Sequence, residues 1–177
     1  MVRQSGEARK RPFINIIDAF NEDEGASVTN VEYFSSQSDP SGFIGVVVHS
    51  ATGRTDHIYN DENDDTANEF DDGRFKGGYG IISFKENKMH CMFLGNGQLI
   101  EKNSWKIETS EKNCAVLITK TDAGFIIDAN QKFTLTLPLG KGVKKVFLEN
   151  GDTTPGQVFI GKVSKKKKQK LVEFELV

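Results

Sequence analysis

An acidic stretch in the first half of the chain has the composition of a cation site. Ca²⁺ binds several oxygen ligands at close spacing. Asp61, Asn63 and Asp65 fall at alternate positions, with Asp72 at the twelfth, so these four are the candidate calcium ligands. Thr66 stands where the sharp turn of an EF-hand needs Gly, which leaves only an irregular calcium loop. We expect a solvated acidic loop without metal, with calcium binding and docking of a basic partner as the alternatives.

Residues that could act as acids, bases or nucleophiles are sparse. Glu101 and Glu108 lie close to Trp105, and a glycoside hydrolase needs two carboxylates facing each other across a cleft. One sequence does not show that these two converge. His49 ends an apolar run and has no nucleophile or carboxylate partner nearby in sequence. We therefore expect no catalytic site, and no motif indicates a cofactor.

Two basic segments could contact partners. Residues 1–12 carry four Arg or Lys and almost nothing apolar, which predicts a disordered arm, with a binding arm as the alternative. The run Lys165–Lys168 stands between two apolar segments, as expected of a charged hairpin tip, although it could instead bind a polyanion. A net charge of −2 gives no overall attraction to nucleic acid or membranes.

Short apolar runs separated by turn residues follow one another along the chain, and they predict antiparallel strands. A hairpin is expected where the polar KENK joins two runs, and another at the C-terminus. GNGQ is expected to be a turn, and 13–20 a first strand. The remaining runs are 28–35, 43–49, 114–119, 124–128, 132–137, 144–149 and 157–163. The sequence thus predicts an all-β protein, an antiparallel β-sandwich of jelly-roll type.

Length and composition agree with a single domain over residues 13–177 after the arm. A chain of 177 residues with 13 Phe can bury a core without metal or disulfides. Cys91 and Cys114 fall in apolar runs and are expected to be buried free thiols. No signal peptide or membrane span is evident, so a cytoplasmic or nuclear location is expected.

The second half of the chain resembles a galectin carbohydrate-recognition domain, which belongs to the concanavalin-like sandwiches. The matching pieces lie in residues 105–163: Trp105 with Glu108, then AVLITKT, GFIIDA, KFTLTLPLGKG, VKKVFLENGD and QVFIGKV. Galectins stack the apolar face of a galactoside on Trp and bind its hydroxyls with His, Asn, Arg and Glu. The resemblance therefore implies a galectin-like sandwich with a shallow sugar site.

By this resemblance the ligand-binding residues are His57, Asn60, Trp105 and Glu108. The sequence departs from the family's pattern at Tyr59, which replaces an Asn, and at Asp61 and Ser110, which replace two Arg. Losing both guanidinium groups removes the bidentate donors that fix a sugar ring. The resemblance therefore supports the galectin-like fold more strongly than it supports sugar binding.

Three classes of function follow. We expect a non-enzymatic binding domain that serves protein interaction or self-association, its partner being another protein or a second copy of the chain. The alternative is a lectin that binds a galactoside-type glycan through Trp105. The third class is a jelly-roll glycoside hydrolase or lyase. Membrane and nucleic acid are not expected partners.

Overall fold

The computed structural model describes residues 14–18, 23, 25–36, 38, 42–63, 65–70, 72–120, 125–131, 133–139, 159–166 and 169–176. Every regular element in these ranges is a β-strand, so the described residues contain no helix that could span a membrane. The expected all-β antiparallel fold is confirmed. The strands are β1 (Val28–Phe34), β2 (Phe43–Ser50), β3 (Arg54–Asp61), β4 (Asn68–Phe70), β5 (Gly73–Lys85), β6 (Lys88–Lys102), β7 (Trp105–Glu108), β8 (Cys114–Lys120), β9 (Phe125–Ala129), β10 (Thr134–Leu139), β11 (Phe159–Lys166) and β12 (Gln169–Leu176).

The twelve strands are joined by antiparallel pairing into one sheet that folds over itself into two layers. The first layer has the order β1-β2-β3-β5-β6-β8-β9 and uses the end of β5 and the start of β6. The second layer has the order β4-β5-β6-β7-β10-β12-β11 and uses the other halves of β5 and β6. The long β5–β6 hairpin therefore belongs to both layers, as expected of a sandwich in which strands switch sheets at a bend.

The bend in the β5–β6 hairpin is made possible by glycine. The β5–β6 register shifts between Lys76 and Gly77, and the β6–β8 register shifts between Leu94 and Gly97. Gly77 and Gly97 face each other there, and a Cβ added to Gly77 would lie 2.7 Å from the Cα of Gly97. Because no side chain fits between the two backbones, only glycine allows the strands to approach this closely. The bulges then turn both strands from one layer into the other.

The core lies between the inner faces of the two layers. Side chains alternate between the faces of a strand, so every second residue points inward. Five aromatic rings form one cluster in this core, with centroids as close as 5.1 Å between Tyr59 and Phe70. Aromatic rings bury more apolar surface than most other side chains, so this cluster contributes a large part of the free energy of folding. The other members of the cluster are Phe34, Phe43 and Phe75.

Most strands expected from the sequence are present. The KENK hairpin is confirmed as β5–β6, with Glu86 and Asn87 both at positive φ in the two-residue turn. The C-terminal hairpin is confirmed as β11–β12. Cys91 and Cys114 are free, as expected, with Cys114 buried and Cys91 half-buried. The basic arm, residues 167–168 and the run 144–149 lie outside the described residues.

Three expectations of local structure were wrong. Residues 14–18 form no strand; instead the Asp18 carboxylate accepts hydrogen bonds from Ser27 Oγ at 2.6 Å and from the Val28 backbone N–H at 2.8 Å. GNGQ is not a turn but the bulged centre of β6. Residues 54–61, which no apolar run marked as a strand, form β3 with Thr55, His57 and Tyr59 facing inward. In the acidic stretch that follows, residues 62–63 and 65–67 form no strand, as expected of a loop, but residues 68–70 form β4.

Candidate functional site

An open cleft lies between the two layers, where the inner faces carry polar side chains. In the first layer, the inward-facing residues of one cross-strand row are Asn30, His49 and Thr55, and His57 follows in the next row. In the second layer, the last inward-facing row of the β6–β7 hairpin pairs Lys102 with Trp105. These residues lie at strand ends, where the apolar interior gives way to solvent. The fold therefore presents ionisable and aromatic groups across one gap.

The cleft has two compartments that share His57 as a common wall. The larger, about 780 Å³, is formed by three tight turns together with strand ends from both layers. The smaller, about 470 Å³, lies toward the aromatic cluster. The larger is lined by His49, Gly53, Thr55, His57, Phe84, Glu86, Asn87, Asn103 and Trp105. The smaller is lined by Phe34, Ser35, Val47, His57, Glu69, Phe70, Asp72 and Lys102.

His57 is held as a neutral imidazole. Its ring lies edge-on against Phe84, with 5.8 Å between the ring centroids. Burial disfavours the charged form, and the nearby Lys102 ammonium adds repulsion, so the pKa of His57 falls to about 4. At neutral pH the ring therefore offers one donor and one acceptor.

Lys102 forms the polar floor of the smaller compartment. Its side chain is only 8% exposed, and its Nζ donates to both oxygens of Asp72, at 2.5 and 2.6 Å. A buried ammonium is strongly unfavourable without such a partner. The pair therefore explains how a Lys can stay inside this cleft, and it keeps both side chains in place.

His49 and Trp105 line the larger compartment from different layers. The His49 ring lies between Glu32, with Nε2 3.4 Å from Oε1, and Thr55, with Nδ1 3.3 Å from Oγ1. Trp105 is half-buried and packs edge-to-face against Phe125 of the other layer, at 5.9 Å between centroids. Both side chains are thus fixed by their neighbours before any ligand binds.

The structure places only two of the four residues implied by the galectin resemblance in the cleft. His57 and Trp105 line the same cleft. Asn60 and Glu108 do not: Asn60 donates to the Gly78 carbonyl on the outer face of the first layer, and Glu108 accepts from Lys106 Nζ at 2.7 Å on the outer face of the second. Residues three apart in a regular strand point to opposite faces, so neither His57 with Asn60 nor Trp105 with Glu108 can share one surface.

The carboxylates considered for catalysis lie outside the cleft. Glu101 accepts from Arg74 at 2.6 Å on the outer face of the second layer, the face that also carries Glu108. Each of the two is thus held by its own cation rather than placed across a gap from the other. Within the described residues, nothing in their surroundings resembles the paired carboxylates of a glycoside hydrolase.

The four calcium candidates are engaged in three separate interactions, one of which joins Asp61 and Asn63. Asp61 is buried and accepts from Asn68 Nδ2 at 2.5 Å, and its other oxygen accepts from the backbone N–H of Asn63 at 2.8 Å. Asp65 pairs with Lys112 at 2.8 Å, and Asp72 with Lys102. Among the residues that the structure describes, no three His, Cys, Asp or Glu side chains are grouped as a metal would require.

Sequence reasoning missed His49, Lys102 and Asp72 as parts of the site. His49 has a carboxylate partner, Glu32, but the two are seventeen positions apart and meet only through the β1–β2 pairing. Lys102 could have been suspected from its place: it directly precedes an Asn-Ser hairpin turn and has the same parity as Ile100, which faces the core.

Fold and cleft together define an all-β domain with an open cleft between two antiparallel layers. Residues 28–120, more than half of the chain, match the family described as endo-acting ulvan lyase C-terminal domain. The chain belongs to this family. The match covers β1 to β8 and every residue that lines the cleft. No curated protein and no solved structure gives a significant match.

The family connects the chain to carbohydrate through a polysaccharide lyase rather than through the galectins. The galectin resemblance rests on residues 105–163, of which only 105–120 fall within the matched region. The expected link to carbohydrate is therefore supported at the level of a carbohydrate-associated domain. The galectin assignment and its galactoside stay predictions.

Proposed function

We propose that the chain is a non-catalytic domain that binds a polysaccharide chain in the cleft between its layers. The observation that carries the proposal is the convergence of Trp105 and His57, from different layers, in a cleft that lies wholly within the matched region. The family name makes ulvan the first polysaccharide to test.

The chemistry of the larger compartment suits a sugar. A pyranose ring has an apolar face of C–H groups and a rim of hydroxyls, so it needs an aromatic surface beside several uncharged donors and acceptors. Trp105 supplies the aromatic surface. The neutral His57, together with Thr55, Asn87 and Asn103, supplies both kinds of hydrogen-bonding partner around it.

The fixed geometry of the cleft also supports binding. Trp105 is held by Phe125, and His49 is held by Glu32 and Thr55. Side chains that are already ordered lose little conformational entropy when a ligand binds, and this loss is a main opposing term in affinity. A shallow, open cleft of this kind can hold part of a long chain while the rest extends into solvent.

The absence of catalysis is part of the proposal. The carboxylate pair considered for hydrolysis, Glu101 and Glu108, lies on an outer face, away from the cleft. An imidazole whose pKa is about 4 is a weak general base, because the best catalytic groups titrate near the working pH. Both features favour holding a sugar over cleaving it.

The test measures binding of a short ulvan oligosaccharide by calorimetry, comparing wild type with Trp105→Ala. We expect the variant to lose affinity by about tenfold or more, which corresponds to roughly 1.4 kcal/mol. Tyr79→Ala is the matched control, since it removes an aromatic ring from the opposite face of the sheet, and it should bind as wild type does.

Two results would contradict the proposal. Equal binding by wild type and Trp105→Ala would exclude the cleft as the site. Release of unsaturated sugar products during prolonged incubation would show a lyase and overturn the non-catalytic assignment. Binding of the chain to an array of galactosides, measured in parallel, tests whether it prefers galactosides, as the galectin resemblance implies.

A further inference from the structure

The outer face of the first layer carries an apolar row that crosses six strands. The pairing register places one outward-facing residue of each strand side by side across β1, β2, β3, β5, β6 and β8. Every member of the row is apolar or aromatic. In order across the sheet they are Tyr33, Val46, Ile58, Ile81, Phe93 and Leu117.

The two ends of the row belong to a wider exposed patch, whereas Val46 within the row is only 8% exposed. Tyr33 is 76% exposed, Ile126 on β9 is 63% exposed, and Leu117 is 39% exposed. Val31 and Tyr79, in the two neighbouring rows, are also exposed. Antiparallel sheets that face water normally carry polar residues on the outside. A contiguous apolar face on a β-sheet instead indicates a surface that another molecule covers.

The charged residues of this face lie outside the apolar row. Arg54, Lys85 and Lys88 are neighbours at one end of the strands, and Asp56 lies in the row next to the apolar one. Arg54 and Asp56 are paired at 2.7 Å, and Ser83 also donates to Asp56. Asp128 lies on the edge strand β9. An apolar centre with a polar rim is the usual arrangement of a protein interface.

We infer that this outer face pairs with the same face of a second copy of the chain. Two flat β-sheet faces pack together at about 10 Å separation, so a sheet face is best covered by another sheet. A twofold dimer uses one patch twice and needs only a self-complementary surface. An apolar row without a charged side chain meets that condition at the centre of the interface, because no like charges are brought together there.

The size of the patch agrees with a dimer. Counting about 150–250 Å² for each large side chain, the exposed apolar groups amount to on the order of 500 Å². With its polar margin the face approaches the roughly 800 Å² that each partner contributes to a standard interface. The two most exposed side chains, Tyr33 and Ile126, lie on opposite edge strands. A twofold axis along the strands places Tyr33 of one copy over the β8–β9 side of the other, so both become covered.

The test is the mass of the purified full-length chain by sedimentation equilibrium, from about 1 to about 100 µM, a range that brackets micromolar affinity. Wild type should reach twice the 19.7 kDa of one chain. Tyr33→Lys and Ile126→Lys should each stay at the mass of one chain. Both positions are exposed, so the folded monomer tolerates Lys, and circular dichroism checks this. Ser110→Lys, which adds the same charge at an exposed loop position, should dimerise as wild type does.

A wild-type chain that stays monomeric at the highest concentration overturns the inference and leaves the face to a different protein. A dimer that persists in either face variant also overturns it, because the interface must then lie elsewhere. The result is independent of the sugar proposal. The cleft opens between the layers and the patch lies on the far side of the first layer, so binding of a short oligosaccharide should be unaffected by either face variant.

Discussion

His57 links the cleft to the pH dependence of stability. Its pKa is lowered to about 4 in the folded chain, from an ordinary 6.5, because the ring is desolvated and lies near the Lys102 ammonium. Below pH 6.5 the unfolded chain binds the proton more readily than the folded one. The contribution of the neutral ring to the free energy of unfolding is therefore complete above pH 6.5 and is lost as the pH falls toward 4.

We expect His57→Asn to remove this part of the acid sensitivity. Wild type should lose up to about 3 kcal/mol more than the variant between pH 7 and pH 4, reduced by solvent screening at a partly exposed ring. Urea unfolding at a series of pH values measures the difference. His90→Asn, at an exposed position of β6, controls for loss of a histidine. A wild-type minus variant difference that does not change with pH would contradict this assignment.

Tyr59 carries a buried polar atom whose removal should help the fold. Its ring belongs to the aromatic cluster and is fully buried, but its hydroxyl has no hydrogen-bond partner among the residues that the structure describes. An unsatisfied buried hydroxyl costs about 1–3 kcal/mol. Tyr59→Phe keeps the ring contacts and removes the hydroxyl, so the free energy of unfolding should rise by about 1 kcal/mol or more. A clear loss of stability in denaturant titrations would show that the hydroxyl is bonded in solution.

The β5–β6 hairpin decides the architecture at the scale of elements. Without its bend the two halves of each strand would continue in one flat sheet, and the inner faces would not meet. The bend depends on the close approach of Gly77 and Gly97, where the pairing register shifts. A small number of backbone positions therefore controls whether the cleft exists.

We expect Gly97→Ala to destabilise the chain and Gly78→Ala to leave it nearly unchanged. A Cβ at position 97 would lie 2.6 Å from a Leu94 methyl and 2.8 Å from the Gly77 Cα, whereas one at position 78 meets nothing closer than 3.6 Å. Forcing a methyl group into such a contact costs about 1–3 kcal/mol. Thermal or urea unfolding of the two variants gives the comparison. Equal stabilities would mean that the bend tolerates side chains.

The whole molecule presents two separate surfaces, a polar cleft inside and an apolar sheet face outside. If both proposals hold, a dimer carries two clefts. Binding of the second cleft to the same polysaccharide then becomes intramolecular, and apparent affinity can rise by about 10²–10⁴ without new contacts. The monomeric Tyr33→Lys variant should therefore bind immobilised ulvan much more weakly than wild type.

The same variant should bind a short oligosaccharide with wild-type affinity, because one cleft is sufficient for it. Surface plasmon resonance on immobilised ulvan and calorimetry with the oligosaccharide provide the two measurements. A parallel loss in both would indicate that the face and the cleft are coupled through the sheet. No loss in either would mean that dimerisation has no part in polysaccharide binding.

The sequence by itself determined the all-β class of this protein and the positions of most of its strands along the chain. Alternating and continuous apolar runs specify strands locally, and Asn-rich two-residue turns specify hairpins, so the antiparallel all-β fold was accessible. The strand prediction failed where the acidic composition concealed the alternation of inward-facing and outward-facing residues. In β3, acidic neighbours masked the alternation that places His57 and Tyr59 inward.

Only the tertiary structure decided which side chains share a surface. The spacing of Trp105 and Glu108 matched a family pattern, but a regular strand sends them to opposite faces, whereas Trp105 and His57 meet across two layers from positions 48 residues apart. His49 with Glu32, and Lys102 with Asp72, are brought together by strand pairing. Strand propensity is a local property, so the sequence alone predicts it. The cleft depends on the pairing register and on the folding of the sheet into two layers, and both arise from long-range packing.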